Sequence, residues 1–262
     1  MAEVIIVPTP EVAGALVAEA IERMVASNPS SVLGVATGST PLPVYRALAE
    51  RVRAGLDLGR LRAFALDEYV GLPPSHPESY ASVIAREVVR PLGLDPKAVH
   101  VPDGRPIGIE TAGERYEAAI EAAGGIDLQL LGIGTDGHIG FNEPGSSFGS
   151  LTRVKTLTEQ TRADNARFFA SPSEVPLHCI TQGLGTILRA RRLVLLAFGA
   201  GKARAVADAV EGPLSASIPG SAIQLHPQAT VVVDEEAASR LVNADYYRYA
   251  YAHKPLWQRT IL

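Results

Sequence analysis

LLGIGTDGHIGFNEP, residues 130–144, is the stretch on which the reading of this chain turns. The apolar run Leu128–Ile133 is continuous rather than alternating, which predicts a parallel strand buried on both faces. It empties into a loop that holds Asp136, His138, Asn142 and Glu143 among Gly132, Gly134, Gly137 and Gly140. In an open α/β sheet, ligands bind in the crevice beyond the carboxyl ends of the strands, and glycines there let backbone approach a ligand closely. Two carboxylates bracketing a histidine each need solvent or a partner, which makes them costly in a merely structural loop. A glycine-rich surface turn with solvated polar residues reads the same way over so short a window, so the rest of the chain must decide.

Outward from that stretch, strand and helix patterns alternate. Strands are predicted at Glu3–Val7, Ser31–Ala36, Leu61–Leu66, Val99–Val101, Arg191–Phe198 and Thr230–Asp234. Helices are predicted from Pro10 to about Ala26, from Pro41 with Thr40 as its cap, over Glu78–Val89, Glu110–Ala123, Glu159–Phe169, Ile180–Leu188 and Ala203–Val210, and finally from Glu235. That order implies an α/β fold with an open, mostly parallel, doubly wound sheet and helices on both faces, Rossmann-like in plan. No internal repeat or low-complexity linker divides the chain, so residues 1–262 read as a single domain. Arg153–Leu157 alternates as an edge strand would, and the segment around 150–176 reads as a mobile, lid-like excursion.

Three further strand ends carry polar groups. Thr37-Gly38-Ser39-Thr40-Pro41 offers free backbone N–H groups of Gly38, Ser39 and Thr40 at a helix start, a ready anion site that is also an ordinary helix cap. Asp67 and Glu68 follow the third strand; being adjacent they point apart in an extended chain, so at most one faces the crevice. Gly199-Ala200-Gly201-Lys202 opens the helix after Arg191–Phe198. Only four of the 24 basic residues are lysines (Lys97, Lys155, Lys202, Lys254), so Lys202 at a glycine-rich helix start suits a phosphate as a point charge. By contrast Glu110, Glu114, Glu117 and Glu121 recur at helical spacing and read as one solvated face.

Composition narrows the function. Twenty-four Lys+Arg against 28 Asp+Glu gives a net charge of -4 and no basic run, which argues against a nucleic-acid or membrane-surface partner. The amino terminus lacks the basic and apolar regions of a secretory signal, and no apolar run approaches the roughly 20 residues that span a bilayer. The single cysteine, Cys179 in LHCIT, excludes an internal disulfide and suits a small buried hydrophobe in a reducing cytoplasm. No Cys/His ligand cluster suggests a metal.

Several longer motifs, in order, resemble the glucosamine-6-phosphate deaminases (isomerases) nearly end to end. They are TGSTP (37–41), LDEYVGL (66–72) with HPESY (76–80), GTDGHIGFNEP (134–144), SLTRVKTLTEQTRADNARFF (150–169), FGAGKA (198–203) and SAIQLHP (221–227). The wider superfamily includes 6-phosphogluconolactonases and sugar-phosphate-sensing domains of regulators, so a lactone hydrolase or a non-catalytic sensor is the alternative. Lactonases typically continue DGH with Thr-Ala-Ser-Leu-Phe, whereas residues 139–144 here read IGFNEP. The resemblance implies conversion of glucosamine 6-phosphate to fructose 6-phosphate and ammonia, without metal or organic cofactor. It implies that His138 opens the sugar ring with Asp136 and Glu143 orienting it, that Asp67 moves the proton between C2 and C1, and that Gly38, Ser39, Thr40, Arg167 and Lys202 hold the phosphate. Some members are hexamers activated by N-acetylglucosamine 6-phosphate through residues matching Ser146, Arg153, Lys155 and Thr156, which leaves a homo-oligomer open. The tail Tyr246–Leu262, with five aromatic residues including Tyr247 and Trp257, departs from the family pattern and is expected to pack on the core or on a neighbour.

Overall fold

Strands that are apolar on both faces need cover on both faces, and the chain supplies it. The structure, a computed structural model, describes residues 2–255 and 258; Trp257 lies outside them. Among the described residues seven strands form one parallel sheet in the order β1-β10-β9-β6-β2-β3-β5. They are β1 (Glu3–Val7), β2 (Val32–Val35), β3 (Arg62–Ala65), β5 (Val99–His100), β6 (Leu128–Leu131), β9 (Leu193–Ala197) and β10 (Ala229–Asp234). Alternate residues feed two separate cores. Val4, Val32, Phe64, Leu131, Leu195 and Val233 pack to one side, while Ile5, Leu33, Ala63, Leu130, Leu196 and Val232 pack to the other. The second face is covered by α1 (Pro10–Ser27), α2 (Leu42–Arg53) and α3 (Tyr80–Ile84), which runs through a π-helical turn into α4 (Arg90–Leu92). The first face is covered by α5 (Ala112–Ala122), α7 (Leu184–Leu188), α8 (Ala203–Val210) and α9 (Ala244–Ala252). The open, doubly wound α/β plan read from the sequence is the one observed.

Five local readings change. A second, antiparallel sheet, β4-β8-β7, stands beyond the carboxyl end of β3, built from β4 (Asp67–Tyr69), β8 (His178–Thr181) and β7 (Arg153–Thr156). The residues Asp67-Glu68-Tyr69 are therefore a strand and not a loop, and the helix expected over Ile180–Leu188 begins only at Leu184 because Cys179–Thr181 pair with both neighbours. Thr40 does not cap α2; Pro41 occupies that position with no side-chain cap bond, which leaves the turn before it open. Residues 235–240 are turns, and the last helix starts at Ala244, where Glu211 accepts from the Val242 and Asn243 N–H groups. Glu117 leaves the solvated face: it accepts from the Thr152 N–H at 2.9 Å and from the Thr186 hydroxyl at 2.5 Å, and pairs with Arg189. It thereby ties α5 to α7 and to the residue before β7. Arg153–Thr156 is the edge strand expected, and between it and β8 lies α6 (Glu159–Asn165). The described part of the aromatic tail packs on the core through Tyr247, which is 5% exposed and donates to Glu211 at 3.0 Å.

Candidate functional site

The carboxyl ends of β2, β3, β6 and β9 and the small sheet enclose a cleft of about 1140 Å³. Of the residues singled out from the sequence, Gly38, Ser39, Thr40, Asp67, His138, Arg167 and Lys202 all line it. These come from five separate stretches of chain; four of them follow the end of a parallel strand, and Arg167 comes from the excursion between β7 and β8.

Asp67 and Glu68 diverge, as extended neighbours must. Asp67 faces the cleft, and among the described residues its carboxylate accepts no hydrogen bond. Burial, reinforced by the negative charge of Glu68, raises its pKa to about 8. Glu68 turns to the start of α3. It accepts from the Tyr69, Tyr80 and Ala81 N–H groups, each at 2.8 Å, and these bonds partly offset the burial that lifts its pKa. Its position is thus structural, at a helix start where N–H groups lack intrahelical acceptors.

His138 leaves the long loop after β6 with its ring lying flat against Gly134, where a Cβ would come within 2.3 Å of the imidazole. Nδ1 sits 2.7 Å from Asp136 Oδ1 and 3.8 Å from Glu143 Oε2. Burial raises the Asp136 pKa, but the hydrogen-bonding contact and the charge of His138 outweigh it and hold the carboxyl down to about 2. Glu143 is 4% exposed; its Oε1 accepts from the Thr158 N–H at 3.1 Å at the start of α6, while Oε2, facing His138, has no hydrogen-bond partner. Asp136 and Glu143 therefore stand on the Nδ1 side of the histidine, and neither lines the cleft. These three side chains also form the one described group whose donor atoms lie close enough together, within 4.8 Å, for a metal ion.

The same cleft lining also carries donors without hydrogen-bond partners among the described residues. Among the described residues the Lys202 ammonium has no ion pair or hydrogen bond; burial lowers its pKa, a shift that the charge of Asp164 opposes and that of Arg167 adds to. Arg167 lies over the Phe168 ring at 4.8 Å and, among the described residues, has no carboxylate partner. The N–H groups of Gly38, Ser39 and Thr40 meet no acceptor among the described residues either. By contrast, in the turn before α8 the Gly199 and Ala200 N–H groups donate to Asp234 and Glu236 and are not free for a ligand.

The remaining four candidates form a different neighbourhood. Arg153 donates to Asn142 Oδ1 at 2.7 Å and to the Ser146 hydroxyl at 3.4 Å, and Lys155 lies two residues along the same face of β7. Neither these residues nor Thr156 line the cleft. Tyr247 does not join them, since its hydroxyl is engaged by Glu211. The sequence reading missed Tyr69, Tyr80, Asp164 and Asn165, all in the cleft wall. Asn165 donates to the Tyr69 hydroxyl at 3.0 Å, and Thr135 donates to Asp164 at 2.9 Å, so the end of α6 is fastened to both loaded strand ends. The HPESY motif was the signal for Tyr80, which stacks on Phe141 at 5.7 Å.

The profile of a family described as glucosamine-6-phosphate isomerases/6-phosphogluconolactonase matches residues 10–233. A glucosamine-6-phosphate deaminase of Bifidobacterium longum subsp. infantis is 60% identical over 268 residues, covering 98% of this chain and 99% of that protein. One of Streptomyces coelicolor is 62% identical over 258 residues, with the same coverage of 98% and 99%. The solved structure of a monomeric glucosamine-6-phosphate deaminase superposes with a TM-score of 0.88 at 40% identity, over 91% of this chain and 99% of that one. A 6-phosphogluconolactonase from Thermotoga maritima shares the fold, with a TM-score of 0.71, 19% identity and coverage of 89% and 99%. The chain belongs to the glucosamine-6-phosphate isomerase/6-phosphogluconolactonase family.

Proposed function

We propose that the chain is a glucosamine-6-phosphate deaminase, which isomerises and deaminates its substrate to fructose 6-phosphate and ammonia. The observation that carries the reading is one cleft whose lining combines cations unpaired among the described residues, Lys202 and Arg167, with an unbonded, buried carboxylate, Asp67, and the His138 imidazole. Lys202, Arg167 and the amides of Gly38–Thr40 suit a dianionic phosphate, which does not react and serves to place the sugar carbons. His138 transfers a proton from the anomeric hydroxyl to the ring oxygen and so opens the pyranose; Asp136 and Glu143, on its Nδ1 side, orient the ring. Asp67 then removes the proton from C2 and returns it to C1, leaving an imine at C2. Water adds to that carbon and ammonia departs. A carboxylate whose pKa burial raises to about 8 is a stronger base than an ordinary one once ionised, and the ammonium of the substrate favours that ionised form.

The segment 150–176 fits a lid in this reading. It carries Arg167 into the cleft wall, and it touches the catalytic groups through Asn165, Asp164 and the Thr158–Glu143 bond. Arg153, Ser146 and Asn142 brace the loop behind His138, and an anionic effector would have to compete for that guanidinium. A reducing cytoplasm suits the buried free thiol of Cys179, and no described helix is long and apolar enough to cross a membrane.

The test is incubation of purified, folded protein with glucosamine 6-phosphate in the presence of a chelator. Equal amounts of ammonia and fructose 6-phosphate are expected. Absence of ammonia, or hydrolysis of 6-phosphogluconolactone in its place, would refute the reading.

A further inference from the structure

Asp234 is buried and charged, yet the reaction makes no use of it. It ends β10 one residue past the pairing of Val233 with Ala197, which sets it beside the exit of β9. Both carboxylate oxygens accept from the Gly199 N–H, at 3.0 Å each, and Oδ1 also accepts from the Ala237 N–H at 2.8 Å. Glu236 Oε2 accepts from the next amide, Ala200, at 3.2 Å. Gly199 has φ +84°, a conformation that strains any residue with a Cβ, and the turn closes when the Lys202 N–H donates to the Gly199 carbonyl at 3.0 Å. The turn that presents Lys202 is thus clamped by two acids from a neighbouring strand exit, and neither acid lines the cleft. Capping its own turn would require only the Ala237 bond. The paired bonds to Gly199 reach a different element, and hydrogen bonds to a carboxylate are the strong, orienting kind.

We propose that Asp234 is a positioning residue for phosphate binding: it fixes the Gly199–Lys202 turn so that the Lys202 ammonium projects into the cleft, with Glu236 reinforcing the clamp. The inference rests on the reading that Lys202 holds the substrate phosphate. It also gives the unpaired lysine a physical basis. A desolvated ammonium on a flexible stem is held in place only if its backbone is fixed from behind.

The experiment measures binding of inorganic phosphate by calorimetry, and KM and kcat for glucosamine 6-phosphate, in the native chain, Asp234→Asn, Lys202→Ala and the double variant. Asp234→Asn is expected to weaken phosphate binding and raise KM by roughly tenfold, equivalent to about 1.4 kcal/mol, with kcat changed by less than about threefold. In the Lys202→Ala background the same substitution should add nothing, because its effect passes through that lysine. Glu236→Gln, at an exposed position, should move phosphate binding in the same direction by roughly two- to threefold; it decides the matter if Asp234→Asn does not fold. Unchanged phosphate binding in folded Asp234→Asn, or an equal loss in both backgrounds, would overturn the inference and leave Asp234 a structural cap. Unchanged binding in Lys202→Ala would overturn the phosphate reading and this inference together.

Discussion

Asp67 and Glu68 are adjacent acids with opposite environments, and the difference between them is testable. A carboxyl whose folded pKa lies above its unfolded value stabilises the fold while protonated, and that contribution is lost as pH rises from about 4 through about 8. Asp67→Asn, which mimics the neutral acid, should therefore unfold at nearly the native Tm at pH 4 and at a higher Tm at pH 9, as thermal scans at the two pH values would reveal. A difference that did not widen would mean that Asp67 is not buried as a carboxylate. Glu68→Gln removes the like charge that helps raise Asp67, so the acid limb of kcat/KM should move to lower pH. Comparing the two profiles cancels the titration of the substrate itself. The same substitution turns one acceptor oxygen into an NH2 and so leaves one of the two N–H groups at the start of α3 unpaired, at a cost of roughly 1–3 kcal/mol in denaturant unfolding. His138→Gln should be less impaired than Asp67→Asn, because some sugar opens spontaneously in solution whereas the C2 proton has no other base; parallel kcat measurements decide. At this scale the sequence was informative where an acid or cation stood at a strand end. It was silent where the partner was remote: Asn165 and Tyr69 are 96 positions apart, and no local pattern announces that contact.

Among the elements, α6 matters most to the cleft. It begins at Thr158, whose N–H donates to Glu143, and it ends with Asp164 bound by Thr135 and Asn165 bound to Tyr69. Tyr69 also packs against Tyr80 at 4.9 Å and Phe169 at 5.6 Å, so Tyr69→Phe removes one hydroxyl and leaves the aromatic cluster intact. Losing that bond, worth about 0.5–1.5 kcal/mol, should raise KM by roughly two- to tenfold with little change in Tm. An unchanged KM would detach α6 from substrate binding. The parallel strands were legible because each is a continuous apolar run between helical patterns. The small antiparallel sheet was not, since β4 spans only Asp67–Tyr69 and carries two acids, a poor match to strand propensity. Its pairing with β8 is set by tertiary context, which also explains why Ile180 and Thr181 read as helix. Glu235 shows the same limit at the other end, where the helical pattern continued but turns and the Glu211 staple delay the last helix to Ala244.

For the molecule as a whole, the sheet order brings the exits of β2, β3, β6 and β9 to one edge, and this makes a cleft from residues as distant as Gly38 and Lys202. Alternation of strands and helices carries enough information to predict that edge but not which residues face each other across it; the motifs supplied that. The proposed chemistry has one central requirement, that a single carboxylate carries the C2 proton. Ammonia release from glucosamine 6-phosphate by folded Asp67→Asn, measured beside the native chain at saturating substrate, tests it directly. Turnover should fall by roughly 10²–10⁴ with phosphate binding retained, whereas turnover within about twofold of native would place the base elsewhere and contradict the account.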